Sequence, residues 1–179
     1  MDITLFINNN NVRFIKTDDR REIICYNYFQ MDRLTEHCPK GMKNMKRLEI
    51  AADIDNLDDV TEFIDEQLEE VGFPMKTIMH IELCVEEIFS NISNYAYENG
   101  KGMAEITVEQ LSDPERVCII FSDSGTPFDP LSNPDPDTSN TLKNDKIGGL
   151  GIFMVKQQMD GISYSYKNGC NILTIEKLL

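Results

Sequence analysis

The chain has 179 residues, 41% hydrophobic and 27% charged, enough for one domain with a proper core and ordinary for a soluble globular protein. Its formal net charge of −14 repels phosphate backbones, which argues against nucleic acid as a partner. No run approaches the roughly 18–20 apolar residues of a membrane span. The first residues show no basic segment followed by an apolar one, so no secretory signal is expected and the protein reads as cytoplasmic. The five cysteines, Cys25, Cys38, Cys84, Cys118 and Cys170, form no C-x-x-C pair. With only His37 and His80 beside them they offer no zinc spacing. Cys84 and Cys118 lie inside apolar patterns and read as small core residues.

Residues 1–45 read poorly. A short strand fits 3–7, the polar run 8–11 stops it, and 20–40 shows no sustained period of two or of 3.6. The domain is expected to begin near Met45, with 1–45 as an extension. From Arg47 the pattern becomes regular. Residues 48–54 read as a strand. Asn56 is placed to cap a helix whose first turn carries Asp58 and Asp59. Leu57, Val60, Ile64, Leu68 and Val71 give that helix one apolar stripe, and Gly72 and Pro74 end it. A longer helix is predicted over 75–97, with Ile78, Ile81, Val85, Ile88 and Ile92 as its stripe. Strands follow at 104–111 and 117–122. Residues 127–147 form a loop rich in Pro, Asp, Asn and Ser, longer than compact domains use without a purpose. A helix at 149–159 and a hairpin of 162–166 with 171–177, turning at Asn168-Gly169, complete the chain. The order implies an α+β two-layer sandwich, one mixed and mainly antiparallel sheet with helices on one face.

Three clusters could carry chemistry. Glu87 and Asn91, four apart on the long helix, share a face beside the apolar stripe. The Asn carbonyl suits Mg²⁺ and the Glu can accept a proton, although such a pair is also an ordinary solvated one. In Phe121-Ser122-Asp123-Ser124-Gly125 an apolar strand ends in Asp-x-Gly. The Asp can accept from an exocyclic amine and the Gly lets a flat ring approach, or the segment is a plain turn. Gly148-Gly149-Leu150-Gly151 enters a helix and exposes N–H groups suited to phosphate, or serves as a tight loop.

In this order the three clusters resemble the GHKL ATPase and kinase superfamily over about residues 47–179. Within it, the chain looks most like the small bacterial anti-sigma serine kinases. The stretches Val85-Glu86-Glu87-Ile88-Phe89-Ser90-Asn91, Phe121 to Gly125, and Gly149-Leu150-Gly151-Ile152-Phe153-Met154-Val155 carry the likeness, and the run from Asn171 to Ile175 fits the family's last strand.

The resemblance implies ATP and Mg²⁺ as cofactors, with Asn91 holding the metal and Glu87 acting as general base. It implies Asp123 on the adenine amino group, Gly125 beside the base, and the amides of Gly149, Leu150 and Gly151 on the phosphates. Lys146 stands slightly before the Gly-x-Gly turn, where the family often has Arg, and would add positive charge. The lid would be 127–147 within a kinase domain of 46–179. The implied activity is phosphorylation of a serine on a small antagonist protein of the anti-anti-sigma type. The other implied partner is a sigma factor or similar regulator, and two copies would pair as a homodimer. The alternatives are an ATP-gated partner-binding switch and an ATPase without protein phosphotransfer. The scarcity of histidines argues against histidine autophosphorylation.

Overall fold

A computed structural model describes residues 42–98, 101–132 and 150–179 in full, and the backbone of residues 2–8, 11–18 and 21–26. The strands are β1 Asp2–Asn8, β2 Asn11–Asp18, β3 Arg21–Tyr26, β4 Met42–Ala51, β5 Met103–Ser112, β6 Glu115–Asp123, β7 Gly161–Lys167 and β8 Cys170–Leu178. The helices are α1 Leu57–Val71, α2 Met75–Asn91 and α3 Leu150–Gln158. The strands join in the order β1-β2-β3-β4-β5-β6-β8-β7, and every described pairing is antiparallel. This is the α+β two-layer sandwich that the pattern of elements predicts. The expected strand at 3–7 is β1. Two strands that the sequence did not announce, β2 and β3, carry the sheet from β1 to β4.

Period-two alternation decides which face is covered. Leu48 and Ile50 of β4 are buried, as are Ala104, Ile106 and Val108 of β5, Val117, Ile119 and Phe121 of β6, and Leu173 and Ile175 of β8. The register places Leu48 opposite Ile106, Ile106 opposite Phe121 and Phe121 opposite Leu173, so one continuous apolar surface runs across four strands. The helices close over it with Val60, Phe63, Ile64 and Leu68 from α1, Ile78, Ile81, Val85, Ile88 and Phe89 from α2, and Val155 from α3. Burial of each such side chain stabilises the fold by roughly 1.5–3 kcal/mol. Cys84 and Cys118 are buried as expected. Burial pushes both thiols up to about 11, so neither is a thiolate at neutral pH.

Three local expectations are corrected. The strand predicted at 48–54 ends at Ala51, and Ile54–Asn56 form a 3-10 turn capped by Asp53, whose carboxylate accepts from the Asp55 N–H at 3.1 Å. Asn56 does not cap α1. Its side chain is turned inward and donates to the Ala51 carbonyl at 3.0 Å, tying the helix start to the strand end. The long helix does not run unbroken to 97. It is α-helical to Asn91 and then winds as a π turn through Ile92–Ala96. The final hairpin is as predicted: Asn168 and Gly169 both have positive φ, at 54° and 84°, the geometry of a tight type I′ turn.

Candidate functional site

The site is assembled around the C-terminal half of α2. Its apolar stripe pins the helix to the sheet, which leaves Glu87 and Asn91 half-buried at the flank. The Asn91 Nδ2 donates to Glu87 Oε1 at 2.7 Å. That bond fixes the carboxylate and commits the amide's donor end, so the Asn91 carbonyl oxygen is the end left as a hard acceptor. Gly151, in the first turn of α3, lies directly against the same carboxylate: a Cβ there would overlap Cδ and both oxygens of Glu87. A carboxylate at this place also sits favourably in the field of the α3 N-terminus. Glu87, Asn91 and Gly151 therefore form one cluster drawn from two helices.

The π turn that follows Asn91 builds the other end. Turns of this kind are rare and concentrate at functional sites. The Ala96 carbonyl accepts from the Thr126 N–H at 2.8 Å. Gly125 packs so closely on Ala96 that a Cβ would strike its carbonyl carbon and oxygen. The sequence suggested that this glycine makes room for a flat ring; in the structure its first constraint is the backbone of the π turn. Tyr97 holds the same loop from below. Its hydroxyl donates to the Met103 carbonyl at 2.6 Å and accepts from the Ser124 N–H at 3.1 Å, while its ring covers Gly102.

Asp123 is the last residue of β6 and only 7% exposed. It continues the inward row Val117, Ile119, Phe121, so the alternation that builds the core delivers a carboxylate to the core's edge. Its register partner on β8 is Asn171, also buried, which ends the inward row Ile175, Leu173. The Asn171 Nδ2 donates to Asp123 Oδ1 at 2.9 Å and to the Thr126 carbonyl at 3.1 Å. The Asn171 Oδ1 accepts from the Phe128 N–H at 3.1 Å and the Tyr164 hydroxyl at 2.8 Å. The Gly125 N–H donates to Asp123 Oδ1 at 2.9 Å. Both described hydrogen bonds to the Asp123 side chain thus fall on one oxygen, and Oδ2 remains as an acceptor for an amine.

Of the residues singled out from sequence, Glu87, Asn91 and Gly151 meet, and Asp123 and Gly125 meet. The stretch from Glu87 on α2 to Ala96 at the end of the π turn touches both groups. Leu150 opens α3 with its side chain largely outward, consistent with a role for its backbone only. Lys146 and Gly149 lie outside the described residues. Asn171, Tyr97 and Tyr164 were not found from sequence as site residues. Asn171 had a usable signal, because a polar residue in phase with Leu173 and Ile175 on a strand must be buried and bonded.

The donor set suits a nucleotide with Mg²⁺. Among the described residues no group of three or more His, Cys, Asp or Glu gathers as a metal cage. A cation here would rest on the single Asn91 oxygen with phosphate and water completing its shell, the arrangement Mg²⁺ favours. Among the described residues no helix is long and apolar enough to cross a membrane.

A sheet covered on one face by helices, with Glu-x-x-x-Asn on one helix, Asp-x-Gly at a strand end and Gly at the start of another helix, defines an ATPase fold of the GHKL type. The family model described as "Histidine kinase-like ATPase domain" matches residues 50–177, and the chain belongs to that family. Among individual relatives, the chain is similar to the serine-protein kinase RsbW of Listeria monocytogenes, 29% identical over 106 residues that cover 57% of this chain and 67% of that protein. It is also similar to the serine/threonine-protein kinase BtrW of Bordetella bronchiseptica, 28% identical over 96 residues covering 53% of this chain and 66% of BtrW. The RsbW of Halalkalibacterium halodurans is 28% identical over 113 residues, 61% of this chain and 67% of its own length.

Proposed function

We propose that the protein is an ATP-dependent serine/threonine protein kinase of the anti-sigma type, which phosphorylates a serine on a small antagonist protein. The observation that carries this reading is the Glu87 carboxylate, fixed by Asn91 on its own helix and pressed against Gly151 at the start of α3. A carboxylate held at that point is positioned as a general base where phosphates would meet a helix N-terminus.

Bound Mg-ATP would supply the transferable γ-phosphoryl group. The chain's own part is positioning and charge. Asp123 would accept from the adenine amine through Oδ2, Asn91 would offer its carbonyl oxygen to the metal, the amides of Gly149, Leu150 and Gly151 would bind the phosphates, and Lys146 would add positive charge. Glu87 takes the proton from the acceptor serine hydroxyl. Phosphoryl transfer needs little more than such placement and neutralisation. In this reading the kinase domain spans 46–179 with its lid at 127–147, residues 1–45 are an extension, and the protein works in the cytoplasm as a homodimer. Its partners are the antagonist and a sigma factor or similar regulator. The relatives' printed activities support the reaction class.

The test combines calorimetry of Mg-ATP binding with transfer from γ-labelled ATP to a purified single-domain antagonist protein. Binding and transfer are expected, and Glu87→Ala should keep binding while transfer falls by roughly 10²–10⁴-fold. Undiminished transfer by Glu87→Ala would rule out the base. Tight binding without any transfer would favour an ATP-gated partner switch, and ADP release without acceptor would favour a plain ATPase.

A further inference from the structure

The surface of the α1–α2 hairpin that faces away from the sheet has two unlike halves. α2 already buries one apolar stripe in the core, yet Met75, Met79 and Leu83 recur at four-residue spacing on its opposite side and remain 64, 55 and 49% exposed. Four-residue spacing stacks these three into one line. α1, by contrast, carries no Lys or Arg, and Asp58, Glu66 and Glu69 stand exposed along its outer side. The seam between the helices is acidic too, because Asp65 of α1 and Glu82 of α2 meet there. Single exposed apolar residues are ordinary on any surface. An aligned row of them beside an all-acidic helix is a patterned surface, apolar on one side and negative on the other.

We infer that the outer face of the α1–α2 hairpin is a docking site for a basic amphipathic helix of a partner protein. The partner's apolar side would lie on Met75, Met79 and Leu83, and its Lys or Arg residues would reach over α1 toward Asp58, Glu66 and Glu69. The row from Met75 to Leu83 is about 12 Å long, room for two turns of a helix with anchors at i, i+3 or i+4, and i+7. Two of the three anchors are methionines, whose flexible side chains adapt to differing partner surfaces. Charge complementarity would speed encounter, and the apolar row would set the register. None of the residues assigned to the nucleotide site is used, so docking can fail while the kinase reading stands.

The probe is a synthetic peptide of about 18 residues with Leu at helical spacing and Lys elsewhere, compared with a scrambled peptide of the same composition. Both are titrated by fluorescence anisotropy against the full chain at about 0.15 M salt, where long-range attraction is screened. The patterned peptide is expected to bind at least about tenfold tighter than the scramble and to gain helical circular dichroism. Met79→Ser with Leu83→Ser should abolish that advantage while thermal unfolding is unchanged, since both side chains lie outside the core. Glu66→Lys with Glu69→Lys should weaken binding and flatten its salt dependence. Equal binding of the two peptides would show only attraction to a negatively charged protein and would overturn the proposal. So would binding indifferent to Met79 and Leu83, or a concentration-dependent dimer dissociated by Leu83→Ser, which would give this face to a second copy of the chain.

Discussion

The two ends of the candidate site are built from different materials. At the Asp123 end, position is set by backbone: Gly125 rests on the Ala96 carbonyl, Thr126 bonds to it, and a buried Asn171 bonds Asp123, Thr126, Phe128 and Tyr164 together. At the Glu87 end, position is set by one side-chain hydrogen bond to Asn91 and by the missing side chain of Gly151. The first end is part of the core's edge, and disturbing it must disturb the fold. The second is a carboxylate on a rotatable stem, and disturbing it should leave the fold alone. Under the proposed function, recognition would thus be coupled to stability, and chemistry would not.

Two glycine-to-alanine substitutions break the comparison most directly. Gly125→Ala places a methyl into the Ala96 backbone, which cannot step aside as a side-chain tip can. The expected loss is about 3 kcal/mol, the upper part of the overpacking range. That corresponds to a melting temperature lower by roughly 6–12 °C for a chain of this size. Calorimetry showing a wild-type melting temperature would remove the rigid end from the picture. Gly151→Ala places a methyl into the Glu87 carboxylate, which can rotate away. Alanine also gains about 1 kcal/mol of helix propensity over glycine. Stability should hold or rise slightly while phosphotransfer drops by about 100-fold, the scale of a catalytic group misplaced by an ångström. Full activity in Gly151→Ala would separate Glu87 from the chemistry.

Asn171→Ala sharpens the comparison from the recognition side. It strips one donor from Asp123 and leaves the Phe128 N–H and Tyr164 hydroxyl without their acceptor. A cost of about 2 kcal/mol is expected from these unsatisfied groups. Nucleotide affinity should fall roughly tenfold as the Asp123 carboxylate loosens, read by calorimetric titration. Unchanged affinity with lowered stability would confine Asn171 to the fold.

Most of the sheet and the three helices were legible in the sequence, because each depends on a local signal; Glu87, Asn91 and Asp123 stood out only through their order along the chain. Ile78 to Ile92 keep helical spacing, Val117 to Phe121 alternate, and Asn168-Gly169 has the dihedral freedom a tight turn needs. The parts that were not legible depend on other parts of the chain. The π turn at Ile92–Ala96 arises within a sequence of sound helical periodicity, and its carbonyl at Ala96 serves Thr126, thirty residues on. Asn56 has the residue type of a cap, but the nearby strand end at Ala51 offers its amide a better partner. Asn171 reads as one polar residue in a strand until the register sets it opposite Asp123. The β2 and β3 strands carry alternation too brief and mixed to stand out against the polar residues around them.

The smallest expected effect lies outside both ends of the site, at Asp65, and it tests whether stability can be shifted without touching recognition or chemistry. Partial burial, then a hydrogen bond and charge repulsion from Glu82, then the charge of Glu69, push this carboxyl up from 3.8 to about 7. Asp65 Oδ1 has no hydrogen-bond partner; a proton held by the pair makes one carboxyl a donor to the other. An acid whose folded value is raised adds stability that is complete below the unfolded value near 4 and is lost as pH climbs to 7. Above pH 7 the fold must hold Asp65 charged beside Glu82. Asp65→Asn keeps a donor for Glu82 at every pH and has no proton to lose. Because the group is partly exposed, solvent screening limits the gain to about 1 kcal/mol, or roughly 2–4 °C in Tm at pH 8. The gap between variant and parent should close as pH falls toward 4, with phosphotransfer unaffected throughout. Thermal unfolding of both proteins from pH 4 to 8 measures this directly, since other acidic residues shift the two curves alike and only Asp65 separates them. Parallel curves would mean that the Asp65–Glu82 contact does not hold a proton in the folded chain.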